Sequence, residues 1–105
     1  MQVQVNTDSN IEGHEGLAAH VTSVVEGAVG RFEDKISRVQ VHLTDENGPK
    51  SSKDEIRCVM EARIKGRAPT AVTHLASTVH QAVDGAADKL TRAVESTIEK
   101  IHDRH

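Results

Sequence analysis

The chain reads as an α+β protein: a two-layer sandwich in which a four-stranded mixed sheet carries two helices on one face. Three observations predict this class. Runs that alternate apolar and polar residues, ISRVQVHL and IRCVMEARI above all, mark half-buried strands. Two longer stretches repeat apolar residues at three- and four-residue spacing, which gives each helix a single buried stripe. Elements with one apolar face must pair those faces across a common core, and two striped helices over one sheet face do so. The order is β-α-β-β-β-α. Its first two strands, joined through a helix, are predicted to be parallel by a right-handed crossover.

The elements follow in turn. Gln2 to Asn6 alternates, with Val3 and Val5 inward. TDSN, with Gly13 and Gly16, makes a loop leading into a helix from about Gly16 to Phe32. Leu17, Val21, Val24, Ala28 and Phe32 mark its stripe, and Gly27 and Gly30 each weaken it by about 1 kcal/mol relative to alanine. Val39, Val41 and Leu43 alternate with Arg38, Gln40 and His42 in the second strand. DENGPKSSKD is a polar hairpin loop that returns into Ile56, Cys58, Met60, Ala62 and Ile64, the inward positions of the third strand. Ala68-Pro69 ends that strand, and Thr70 to Leu75 forms a fourth. Ser77 or Thr78 caps a last helix running to about Asp103, roughly 40 Å long. The other sheet face is left to water, polar and partly basic.

Composition bounds the function. A chain of 105 residues is expected to be one domain spanning 1–105. Phe32 is its one aromatic residue, so base stacking on aromatic platforms is unavailable, and any RNA recognition works through phosphates and shape. Cys58 stands alone, which excludes an internal disulfide and fits a reducing cytoplasm. MQVQVNTD lacks the pattern of a signal peptide and no run reaches a membrane span, so a cytoplasmic protein without membrane contact is expected. Net charge is −3 with histidine neutral. Its distribution is uneven: residues 1–30 hold Asp8, Glu12, Glu15 and Glu26 and no lysine or arginine, while the cations gather mid-chain and on the last helix.

Catalytic patterns are missing. The glycines form no phosphate-cradling loop. Cys58 lies mid-strand on the inward side, where a small core residue is expected rather than a nucleophile. Asp84 and Asp88 share a helix face, but Asp84 suits the helix start and Asp88 can pair with Arg92. Of the seven histidines, only His102 and His105 have usable helical spacing; His74 is expected inward and His42 on the open sheet face. The expectation is no enzyme, no cofactor, no metal site and no small-molecule substrate. What remains is the last helix, AVDGAADKLTRAV onward, where Lys89, Arg92 and Lys100 fall within roughly a quarter-turn of one another. A helix that packs on one side and aligns cations on its flank suits a polyanion.

These segments resemble the ribosome hibernation-promoting factors, also called ribosome-associated translation inhibitors or ribosomal subunit interface proteins. The resemblance covers nearly the whole chain: QVQVN, Ile11-Glu12 followed by Leu17 and Val21, ISRVQVHL, and AVDGAADKLTRAV. In the last, Val83, Asp84, Asp88, Lys89, Leu90 and Arg92 match an apolar pair before Asp, then Asp-Lys-Leu with Arg three residues after the Lys. The resemblance implies the same β-α-β-β-β-α fold. It also implies binding to the small ribosomal subunit through rRNA phosphates, and inhibition of translation when growth stops. Lys89, Arg92 and Lys100 carry over as RNA contacts, with Arg31 and Lys35 near the end of the first helix. Arg38, Arg57 and Arg63, on the polar sheet face, join them as candidate RNA-binding residues. The chain departs from the family in its acidic balance and in Ser96, where many members have lysine. The competing reading is a diverged α+β module that binds a protein partner.

Overall fold

In a computed structural model, residues 1–8, 11, 14–45 and 56–102 are described. Strand β1 (Gln2–Thr7) leads to helix α1 (His14–Val29), which tightens into a 3₁₀ turn at Gly30–Phe32. Strands β2 (Ile36–Asp45), β3 (Ile56–Ile64) and β4 (Thr70–Ala76) follow, and helix α2 (Val79–His102) closes the fold. The sheet order is β1-β2-β3-β4, with β1 parallel to β2 and the remaining pairs antiparallel. The mixed sheet and the parallel first pair are as the sequence predicts.

One core joins the two layers. Val39, Val41 and Leu43 of β2 and Ile56, Cys58, Met60, Ala62 and Ile64 of β3 are buried, and Val3 and Val5 of β1 pack at its margin. Helix α2 lies over β3 and β4, with α1 beside it and against β1. No polar or charged side chain among the described residues is buried. Thr91 ties the helices together: its single Oγ1–H is shared between the carbonyls of Ala28 (3.1 Å), near the α1 C-terminus, and Ala87 (3.0 Å).

The structure refines the sequence reading at four points. The buried stripe of α1 runs through Leu17, Val21, Val25 and Val29; Val24, Ala28 and Phe32 sit at its edge, half-buried. Both Val24-Val25 and Ala28-Val29 are apolar doublets, so spacing does not decide which member faces inward. The α-helix also begins earlier and ends earlier than expected, at His14 and Val29, and Gly16 lies inside it rather than in a loop. In β2, Ile36 is buried as well as Val39, although the two stand three positions apart. The register explains this: pairing steps from Ile36↔Ile64 to Arg38↔Arg63, so Ser37 is an inserted residue and the strand's alternation resets. The fourth strand extends one residue further, to Ala76. Apart from Asp45, the polar hairpin loop at 45–54 lies outside the described residues, as do most of the loop before α1 and residues 103–105.

Beyond β3 the chain turns at Gly66, whose φ of +77° suits the third position of a tight turn closed by Arg67 N–H donating to the Ile64 carbonyl at 3.0 Å.

Candidate nucleic-acid interface

Helix α2 is built to present one flank. Ala82, Val83, Ala86, Ala87, Leu90, Val94 and Ile98 are buried along its core side. Of the two candidate caps, Thr78 fills the role, its Oγ1 accepting from the Gln81 N–H at 3.1 Å, while Ser77 Oγ donates to the Gln81 side-chain oxygen at 2.9 Å. On the side above β4, Lys89 Nζ donates to the Thr73 carbonyl at 2.9 Å. That bond places a cation along an edge strand, which discourages pairing with another chain. Arg92 and Lys100 are exposed and have no ion-pair or hydrogen-bond partner among the described residues. Eight residues apart, they are separated by about 12 Å along the axis. The expected Asp88–Arg92 pair does not form.

Arg31 is placed differently. It sits in the 3₁₀ turn, its guanidinium 2.9 Å from the Glu95 carboxylate of α2 and 4.7 Å from the ring centre of Phe32. A pair as exposed as this one adds little to stability, but it holds the arginine against an acid rather than leaving it free.

The sheet's outer face carries the remaining candidates. Arg38 lies between Gln2 of β1 and Arg63 of β3 on one rung, whereas Arg57 lies toward the opposite end, between Thr44 and Leu75. His42 is exposed on this face, as expected, opposite Asn6 and Val59. Lys35 is exposed in the turn before β2. The structure thus brings Lys35, Arg38 and Arg63 to one end of the sheet, groups Lys89, Arg92 and Lys100 along α2, and leaves Arg31 and Arg57 apart from both.

Sequence reasoning missed two cations at that sheet end. Lys65 and Arg67 follow β3 and are exposed; the Lys65 N–H donates to the Lys35 carbonyl at 2.9 Å and its Nζ to the Asp34 carbonyl at 2.9 Å. The signal present in the sequence is the cation–glycine–cation turn IKGR, which becomes informative once β3 is placed beside β2. It missed a second contact too. His80 Nδ1 and His20 Nε2 lie 3.0 Å apart, joining α1 to α2 across 60 residues of sequence.

Catalytic geometry does not emerge among the described residues. Cys58 is fully buried, and burial pushes its thiol up to about 12, so the nucleophilic thiolate is suppressed. His74 faces inward beneath α2, its ring against Gly85, where a Cβ would overlap the imidazole. No group of three or more His, Cys, Asp or Glu is placed to hold a metal ion among the described residues. No helix of the described residues is long and apolar enough to cross a membrane.

A single core topped by a cation-bearing helix, over a sheet with an arginine-bearing open face, describes a two-layer protein of the α+β class. Residues 3–102 match the family described as Sigma 54 modulation protein / S30EA ribosomal protein, and the chain belongs to that family. The fold is similar to the N-terminal domain of Protein Y from Thermus thermophilus, with a TM-score of 0.75 at 18% identity, covering 92% of this chain and 99% of that one. It is also similar to a ribosomal subunit interface protein from Coxiella burnetii, with a TM-score of 0.64 at 14% identity, covering 93% and 99%. At these identities the likeness shows the fold. No curated protein sequence matches the chain.

Proposed function

We propose that this chain is a single-domain cytoplasmic factor, spanning 1–105, that binds the small ribosomal subunit through rRNA phosphates and inhibits translation during arrested growth. The observation that carries the reading is family membership across residues 3–102. The relative from Coxiella burnetii is itself described as a ribosomal subunit interface protein, which supports it. The geometry supplies a means. Arg92 and Lys100 are unpaired among the described residues on one helix flank, Lys89 stands beside them, and Lys35, Arg38 and Arg63 stand together at one end of the sheet. Cations spaced along a rigid helix can meet successive phosphates without reading base identity. Arg57 belongs to the same open face, and Arg31 would reach phosphate by exchanging Glu95 for it.

Translation of a reporter message by purified ribosomes tests the inhibitory half. Protein in excess over ribosomes is expected to suppress product, with suppression relieved as salt rises because phosphate contacts release counterions. Full product formation at low salt with the protein in excess contradicts the reading.

A further inference from the structure

The end of the sheet holds an arrangement that folding alone does not favour. Arg38 and Arg63 are direct cross-strand partners, and like charges in that relation are destabilising. Neither guanidinium has an ion-pair or hydrogen-bond partner among the described residues. The bulge at Ser37 sets Ser37 and Arg38 together opposite Arg63, and Ser37 Oγ donates to the Arg63 carbonyl at 3.2 Å, holding the two strands in that register. Gln2, Ser37, Arg38 and Arg63 line an open hollow of about 380 Å³. Exposed Lys35, Lys65 and Arg67 lie at the same end, against the turn carboxylates Glu33 and Asp34 and Glu61, which pairs with Gln40 two residues along from the Arg38–Arg63 rung.

We propose that Arg38 and Arg63, with the Gln2 amide beside them, form a two-guanidinium fork that grips one phosphate group. Facing positions on antiparallel strands have Cβ atoms about 5 Å apart, so both planar forks can close on a common tetrahedral anion. Each guanidinium offers paired N–H donors matched to two phosphate oxygens, and a phosphate between them turns their repulsion into shared attraction. Three further exposed cations at the same end of the sheet raise the local concentration of such an anion. The site is distinct from the α2 flank. It rests on the ribosomal reading only in naming RNA as a source of the phosphate; a free phosphate has the same chemistry.

The test follows the Arg Nε–H resonances of the whole chain by NMR at fixed ionic strength, in one arm with inorganic phosphate and in the other with a short unstructured RNA. The fork predicts saturable shifts at Arg38 and Arg63 in at least one arm. Shifts with RNA alone identify a backbone phosphodiester as the ligand, and shifts with phosphate alone identify a small anion. Arg38→Gln and Arg63→Gln are each expected to weaken that binding by about tenfold or more, from the loss of charge-assisted hydrogen bonds. Both variants should unfold at the parent's temperature or above it, because a like-charge pair has been removed. No saturable shift in either arm, or undiminished binding by the Arg38→Gln/Arg63→Gln double variant, overturns the proposal. Sedimentation with small subunits is scored separately, so loss of the fork with retained ribosome binding leaves the broader reading standing.

Discussion

Cys58 shows how one residue's surroundings fix its chemistry. It sits on the inward side of β3 with no exposure, and burial raises its thiol from 9.0 to about 12. The unfolded chain gives up that proton near pH 9, while the folded protein keeps it until about pH 12. Between those values the native state binds more protons than the unfolded state, so stability falls as pH rises, by up to about 1.4 kcal/mol per pH unit. Below pH 9 both states are protonated and the residue contributes no pH dependence. Urea unfolding from pH 8 to pH 11 is expected to show this decline in the parent. In Cys58→Ala it should be shallower, from a lower starting stability because a small cavity is left. Lysine titration is common to both proteins, so parallel slopes would contradict the assignment. The inward position of Cys58 is legible in the sequence because Arg57, Glu61 and Arg63 fix the outward phase of IRCVMEARI, even though Val59 is an apolar residue on the outward side. The partnership of His20 with His80 is not, because nothing local links residues on separate helices.

At the level of elements, α2 and the edge strand β4 meet closely at Gly85 and His74. An alanine in mid-helix ordinarily improves on glycine by about 1 kcal/mol. At position 85 the added Cβ would land on the His74 imidazole, so the ring must be displaced. Gly85→Ala is therefore expected to be neutral or destabilising by about 1 kcal/mol. In a His74→Ala background the same change should recover its helix gain, a non-additivity that a double-mutant cycle in urea reads directly. Equal effects in both backgrounds would show that the two residues do not meet. Most elements were legible for a physical reason: one-sided burial imprints a period of two on β2 and β3 and a period near 3.6 on α2. Where that imprint is ambiguous the reading slipped, as in α1, whose apolar doublets Val24-Val25 and Ala28-Val29 fit two adjacent stripes. The bulge at Ser37 was illegible because it becomes visible only through pairing with Arg63, and the cation cluster it organises was hidden with it. Lys65 and Arg67 join Lys35, Arg38 and Arg63 through sheet register, not through sequence distance.

For the whole molecule, net charge is a poor guide and distribution a better one. The chain carries 13 lysines and arginines against 16 carboxylates, yet most of the exposed cations among the described residues gather on the α2 flank and at one end of the sheet. On the proposed reading, a protein of this net charge would hold RNA through local phosphate contacts rather than long-range attraction, so its binding should fall steeply with salt. The most direct test is co-sedimentation with purified small ribosomal subunits across a salt series, comparing the parent with Arg92→Glu/Lys100→Glu. Both residues are exposed and unpaired among the described residues, so the double variant should keep the parent's unfolding temperature to within the small changes usual at surfaces. The parent is expected to travel with small subunits at low salt. Its affinity should fall on a log–log plot with a slope steepened by about 0.7 to 0.9 for each phosphate contacted, while the folded variant stays at the top of the gradient. A parent that remains at the top with small subunits in excess at low salt, or a folded variant that travels as the parent does, would contradict the proposed reading.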